Sequence, residues 1–473
     1  MQIYRYLGVY SHIASMVKVV LGFGNGNVEN GCEHITVEIR DDYEKLIAQD
    51  SGSLPAYPEL WELYESWKFS FTTNFSGRIK VIEEERNVSQ HQLQLSKYFD
   101  QFPKRFNQWL DCDGFRSIEK LLRNYLNIEN QINFTVEAEN HQLRRLPWCL
   151  WEFFEDYHKI EPTFAFAKYE SGRIGKSKRD SVRILVVIGD SEGIDTEADK
   201  QVFQEILADA EIKILSQPSL QELDESLWDE QGWDILAFLG HSESSADGSS
   251  GKIKINKSEN LSLVELKNAL SSAIKKGLKL AIFNSCDGLG LVGDLRDLYL
   301  PQVVVMREPV PDVMAQEFIK NFLGAFRGGK CLSVAVREAR EKLQKWEKNY
   351  PCATWLPVIC QNPTVESINW VNLGGKPVCP YRGLFAFGEE DADIFCGREV
   401  VSEELYQKVQ SRQRLIAVVG ASGSGKSSVV FAGLIPRLRN AGMKVVDFRP
   451  GKNPFESLAV ALAPLWYEAN HPG

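Results

Sequence analysis

Two short stretches of this 473-residue chain set reactive side chains directly after apolar runs. The run Asp234-Ile235-Leu236-Ala237-Phe238-Leu239 leads into Gly240-His241-Ser242. The run over 278–283 leads into Asn284-Ser285-Cys286-Asp287-Gly288. If both runs are neighbouring parallel strands, His241 and Cys286 emerge at the same sheet edge. There an imidazole can help deprotonate a thiol and later protonate a leaving amine. The neighbouring glycines let backbone amides turn toward a developing oxyanion. A lone Cys and His also fall near strand ends by chance, so the pair needs spatial proof.

A second stretch, Gly420-Ala421-Ser422-Gly423-Ser424-Gly425-Lys426-Ser427, fits G-x-x-x-x-G-K-[ST] at every position. In that pattern, backbone amides at a helix N-terminus cradle phosphates, the lysine reaches the β/γ-phosphates and the Ser hydroxyl holds Mg²⁺. The nucleotide-binding candidates are therefore Gly420, Gly423, Gly425, Lys426, Ser427 and the following Ser428.

The elements that must position these residues follow from periodicity. Apolar runs predict strands over 17–23, 36–39 and 132–136. Further strands are predicted over 182–188, 211–215, 234–239, 278–283 and 302–306. Helical spacing predicts helices over 89–110, 115–126, 196–207, 263–275, 312–327 and 333–348. The aromatic-rich 143–154 reads as a Pro-led helix whose Trp148, Trp151, Phe153 and Phe154 pack into a core. Continuous apolar strands alternating with helices over 182–365 mean a mostly parallel α/β sheet with helices on both faces, and sites outside the strands' carboxyl ends. Around the phosphate motif the expected order is strand 415–419, loop, helix to about 439, strand 444–448.

These signals divide the chain. Residues 1–15 read as an extension, with Met16 the expected start and a short frayed N-terminus the alternative. A mixed α/β lobe spans 16–178 and ends in a basic, Gly/Ser-rich stretch around Lys176, Lys178 and Arg179 that reads as a linker. The main α/β domain spans 179–365. A linker and lead-in helix occupy 366–410, and a phosphate-binding domain covers 411–473.

Composition narrows the function classes. Hydrophobic residues are 44% and charged residues 25%, which excludes wholesale disorder. The 54 Lys+Arg against 64 Asp+Glu give a net charge of −10, which argues against a chain-wide nucleic-acid surface. No apolar run reaches membrane-spanning length and no secretory signal is evident, so a soluble cytoplasmic protein without membrane or nucleic-acid partners is expected. The nine cysteines are odd in number and contain no C-x-x-C pair, so neither a disulfide framework nor a metal site is expected.

Residues 182–360 resemble a CHAT domain, a caspase-like (clan CD) cysteine peptidase of the group that includes separase and metacaspases. The resemblance rests on the His241 and Cys286 stretches quoted above, on Val304-Val305-Met306-Arg307-Glu308-Pro309-Val310-Pro311-Asp312, on the helix around 335–339 and on Leu146-Pro147-Trp148. It implies His241 as general base, Cys286 as nucleophile, and the backbone amides of Cys286 and Ser242 as oxyanion donors. Ser242 stands where caspases carry Gly. It further implies that 16–178 is a catalytically silent, pseudo-peptidase lobe supporting the peptidase lobe. Separase-like and metacaspase-like relatives read Arg or Lys with a carboxylate. Asp190, at the end of the 182–188 strand, is the first candidate for that role, with Glu192, Asp195 and Glu197 adding negative potential. Asp287 is the second. Asp190 as a simple turn cap is the competing reading.

The segments Cys379-Pro380-Tyr381-Arg382-Gly383-Leu384, Glu389–Ile394 and Gly397-Arg398-Glu399 lead into the phosphate motif and resemble the opening of a STAND-type signalling NTPase. Together the resemblances imply a bacterial, cyanobacterial-type signalling peptidase controlled by an ATP- and Mg²⁺-dependent switch, with a protein substrate and homo-oligomerisation on activation. The peptidase itself needs no cofactor. Only 46 residues follow Ser427, with no Walker B strand, so the chain is read as a fragment or the product of a split gene. Nucleotide binding by this piece alone is then expected to be weak or absent. The rival function is a non-cleaving signalling scaffold in which ATP-dependent oligomerisation is the main activity.

Overall fold

The computed structural model describes residues 16–74, 88–128, 130–157, 159–165, 181–192, 194–245, 250–285, 288–295, 298, 300–365, 367–377, 383 and 385–470. The expectations for 1–15, for the linker at Lys176, Lys178 and Arg179, and for Cys379–Arg382 lie outside these residues. Two compact units are present, divided between Pro377 and Val378.

The first unit is built on one sheet of eleven strands. In chain order its strands are β1 (Val17–Gly22), β2 (Cys32–Arg40), β3 (Leu46–Leu54), β4 (Ile132–Glu137), β5 (Thr163–Ala165), β6 (Arg183–Ile188), β7 (Glu211–Ser216) and β8 (Ile235–Gly240), then β12 (Leu280–Ser285), β13 (Gln302–Met306) and β14 (Pro357–Gln361). A separate three-stranded sheet holds β9 (Ser242–Ser244), β10 (Gly251–Lys254) and β11 (Asn260–Ser262), in the order β11-β10-β9.

The large sheet runs β3-β2-β1-β4-β5-β14-β13-β12-β8-β6-β7. It is mostly parallel; β2 is antiparallel to β1 and β3, and β13 to β14. Strands β6, β8 and β12 are buried at every position. That is the signature of a sheet covered on both faces, and it explains why these strands read as unbroken apolar runs. Strand β2, farther out, alternates instead: Ile35, Val37 and Ile39 are buried and the residues between them are not.

The sheet is continuous across the region read as two lobes. Thr163 and Phe164 of β5 pair in parallel with Ile359 and Cys360 of β14. Buried groups reinforce that seam. Glu161 takes a two-pronged ion pair from Arg340, at 2.9 and 3.0 Å. Arg307 donates to the carbonyls of Arg145 and Leu146 at 2.6 and 2.8 Å. The fully buried Glu308 accepts from Tyr64 Oη at 2.8 Å, meets Lys68 Nζ at 3.1 Å and pairs with Arg145. Trp355 packs its ring on Trp67 and Phe102, each with centroids 5.3 Å away.

Several elements differ from the sequence expectation. The stretch 143–154 is not one helix. It breaks into His141–Arg145, a 3₁₀ turn Trp148–Leu150 after Pro147, and Phe153–Asp156. The adjacent Phe153 and Phe154 are both buried, as are Trp148 and Trp151. A single helix would turn part of that set to solvent, because its buried stripe recurs only every three to four residues. The helix expected over 263–275 opens as a capped 3₁₀ turn, Leu263–Leu266, before Lys267–Lys275. The helix expected over 333–348 relaxes to 3₁₀ geometry after Glu341.

The second unit carries helix Glu399–Gln410, the helix that opens at Lys426, and helix Pro454–Asn470. Neither 415–419 nor 444–448 forms a strand; both lack ladder partners among the described residues. Their strand-like alternation survives in the packing: Ile416, Val418 and Val445 turn onto the core around Leu405 and Val429, while Leu415 and Val419 face outward. Within the helix that follows the loop, Val429–Leu434 widens to π geometry just ahead of Pro436, whose missing N–H and bulky ring disfavour ordinary helical spacing.

Candidate active site

The two central strands that precede His241 and Cys286 in sequence end side by side at one edge of the sheet. Strands β8 and β12 pair in parallel, register by register, up to Gly240 opposite Ser285. The next residues along the chain are His241 and Cys286. Cys286 and Asp287 themselves lie outside the described residues. Beyond them, Gly288 N–H donates to Met306 O at 2.8 Å, so the chain returns onto the end of β13. A Cβ on Gly288 would sit 2.7 Å from the Cβ of Val305, which is why this close return requires glycine.

His241 is half-buried, and its Nε2 lies 2.9 Å from the carbonyl oxygen of Glu192. A carbonyl only accepts, so this contact places the ring proton on Nε2 and leaves the lone pair of the neutral ring on Nδ1. Glu192 therefore orients the ring through its backbone. No side-chain signature in the sequence could have revealed that role.

At these strand ends two buried hydroxyls join: Ser242 Oγ donates to Ser285 Oγ, on the last residue of β12, at 2.7 Å. Ser242 follows His241 and Ser285 precedes Cys286, so this bond ties the two chain segments together at the point where both leave the sheet. Asn284 adds a bond from Nδ2 to the carbonyl of Ala315 at 3.2 Å.

Asp190 follows β6, next to β8, and is fully buried. It has a partner within the protein. Lys254 Nζ, at the end of β10, lies 2.6 Å from Asp190 Oδ2. That ammonium holds the Asp190 carboxyl below its usual range, and Asp190 in turn raises Lys254 above its own. The backbones are joined as well: Asp190 N–H donates to Lys254 O, and Lys254 N–H donates to His241 O, both at 2.9 Å. Gly189 makes this possible, since a Cβ there would lie 2.3 Å from Lys254 O.

The other acidic residues near this edge have local roles. Asp195 caps helix Thr196–Ile206 by accepting from Ala198 N–H at 3.2 Å. Glu197 pairs with Lys200 at 3.3 Å. Asp312 accepts from Asp195 N–H at 3.2 Å and from Gln316 Nε2 at 2.9 Å.

In the second unit the phosphate motif forms a tight loop at a helix start. Gly423 and Gly425 have φ of +76° and +84°, a conformation suited to glycine. Lys426 Nζ folds back to donate to the carbonyls of Gly420 and Ala421 at 2.8 and 2.7 Å. Ser427 stands on the first helical turn. Ser428 is turned elsewhere: it is buried, and its Oγ accepts from Phe387 N–H at 3.1 Å. Among the described residues no group of three or more His, Cys, Asp and Glu could hold a metal ion. No described helix is long and apolar enough to cross a membrane.

The site thus lies on a mostly parallel α/β sheet covered on both faces, with His241 leaving the end of β8 beside β12. The CHAT domain model matches residues 159–362, and the Novel STAND NTPase 1 model matches residues 380–472. The two matched segments follow one another in the chain, the first within the large α/β unit and the second within the smaller one. No curated protein matches it. Among solved structures, it is similar to the separase of the Saccharomyces cerevisiae separase–securin complex, at 11% identity with a TM-score of 0.45. That match covers 73% of this chain and 30% of separase. It is also similar to the Drosophila initiator caspase Dronc, at 12% identity with a TM-score of 0.30, covering 46% of this chain and 94% of Dronc. The chain therefore spans about a third of the separase chain that it matches.

Proposed function

We propose that this chain is a caspase-like cysteine endopeptidase that cuts protein substrates after a basic residue, under the control of its NTPase segment. The observation that carries the reading is the shared strand edge, with Gly240 opposite Ser285 immediately before His241 and Cys286. The Glu192 carbonyl supports it by leaving His241 Nδ1 as the proton acceptor.

In this mechanism the Cys286 thiol gives its proton to His241. The thiolate attacks the scissile carbonyl carbon, and the backbone amides of Ser242 and Cys286 stabilise the oxyanion. The imidazolium then protonates the leaving amine as the C–N bond breaks. Water, deprotonated by His241, hydrolyses the thioester and returns the thiol. Asp190 supplies the carboxylate for a basic side chain at the cleavage position.

The phosphate loop fits a nucleotide. Its glycines keep the positive-φ positions open, and Lys426 holds its ammonium against the loop where phosphates would lie. Gly420, Gly423, Gly425 and Lys426 would contact the phosphates, and Ser427 would ligate Mg²⁺. Bound ATP would supply the energy difference between resting and assembled states, and homo-oligomerisation would accompany the change.

The test is a fluorogenic assay with Arg- and Lys-containing peptides. Wild type should cleave and Cys286→Ala should lose at least a thousandfold in kcat/KM. Equal rates for the two proteins would overturn the peptidase reading in favour of a non-cleaving scaffold.

A further inference from the structure

Asp190 poses a problem for any basic substrate: it is completely buried and a lysine of the same chain already sits on it. We propose that Lys254 is a displaceable internal occupant of the Asp190 site, and that its departure sets the threshold for admitting a basic substrate side chain. The inference rests on the reading that Asp190 receives such a side chain.

The geometry separates what is fixed in Lys254 from what is free to move. Its backbone is held at both ends of the peptide unit: N–H to His241 O, and C=O from Asp190 N–H. The side chain is a third exposed, whereas that of Asp190 is 1% exposed. Lys254 can therefore swing its ammonium into water without disturbing the bonds that hold β10 to the site. Inward, the same ammonium neutralises a carboxylate that would otherwise be buried and unpaired.

The chemistry of exchange favours one ligand class. A lysine ammonium is a strongly hydrated point charge on a flexible stem. A guanidinium is less hydrated and presents parallel N–H donors that match a carboxylate in two bonds. An entering arginine side chain thus gains a bond that Lys254 does not make, while the released Lys254 recovers its hydration. An entering lysine makes an even exchange. Neutral side chains cannot compensate the carboxylate and leave Lys254 in place. Lys254 consequently acts as a selectivity filter, ranking arginine above lysine and both above neutral residues.

Binding of agmatine, a free alkyl-guanidinium, tests this without turnover. It is measured by calorimetry on the full chain carrying Cys286→Ala. Adding Lys254→Met should tighten agmatine binding at least tenfold. Adding Asp190→Asn to that variant should abolish the gain, and Lys254→Arg, a stronger internal occupant, should weaken binding below the level of the Lys254 protein. Equal affinity with and without Lys254→Met, or a gain that survives Asp190→Asn, overturns the proposal. If Lys254→Met does not fold by circular dichroism, Lys254→Gln replaces it, since its amide still donates to Asp190. If neither folds, Lys254 is a fixed structural partner and the proposal fails. The outcome is independent of hydrolysis: tighter agmatine binding beside an inert Cys286 would retain the filter and sink only the peptidase reading.

Discussion

Replacing Glu308 with Ala should nearly unfold the first unit, and the magnitude follows from three partners. Arg145 has a side chain only 4% exposed, so losing the carboxylate leaves a buried guanidinium without its counter-charge. Breaking a buried ion pair from one side costs about 3–5 kcal/mol. Tyr64 loses the acceptor of its hydroxyl, worth about 1 kcal/mol. Lys68 is 25% exposed and turns to water, adding at most about 0.5 kcal/mol. The sum of about 4–6.5 kcal/mol approaches the whole stability of an ordinary domain. The seam to β14 depends on this cluster, because Tyr64 and Lys68 lie on helix Pro58–Asn74, whereas Glu308 follows β13. Urea unfolding followed by tryptophan fluorescence reads the change directly, since Trp67 and Trp355 stack at the same seam. The paired replacement Arg145→Met with Glu308→Leu removes both charges and should cost less than Glu308→Ala alone. A Glu308→Ala protein within about 1.5 kcal/mol of wild type would refute the reasoning.

Two further outcomes follow. Gly189→Ala places a Cβ 2.3 Å from Lys254 O and should push β10 off the site, lowering the melting temperature by several degrees and any peptidase rate at least tenfold; unchanged melting would contradict the packing. The buried Cys32 thiol is pushed up to about 12 by burial, against about 8.5 in an unfolded chain. The unfolded state thus loses the proton first, and the stability contribution, complete below about pH 8.5, declines by about 1.4 kcal/mol per pH unit as pH rises toward 12. Denaturant titrations from pH 8 to 10 should show Cys32→Ala with a shallower decline than wild type.

The shared end of β8 and β12 was readable because its signals are local. Two apolar runs ending in Gly-His and Ser-Cys announce strand ends, and adjacency in the sheet needed only the βαβ habit of the region between them. The Glu192 carbonyl could not be read, since a backbone acceptor leaves no trace in residue type. Lys254 was equally silent: it sits on a four-residue strand, β10, too short to show a period, and it meets Asp190 across 64 positions of chain. The aromatic stretch 143–154 was assigned correctly to the core and wrongly to one helix, because burying neighbours such as Phe153 and Phe154 together demands broken geometry. In the second unit, the 415–419 and 444–448 segments carry strand composition, yet a strand exists only through a partner.

The join between β5 and β14 also constrains how the chain is made. Thr163 must wait for Ile359, 196 residues later, before its edge is paired (359 − 163). At about 5–20 residues per second, synthesis leaves that edge open for on the order of 10–40 s. During that interval β4 and β5 form an uncapped template beside helices rich in buried aromatics. Because β14 is made so late, the edge of β5 cannot be closed before translation reaches it.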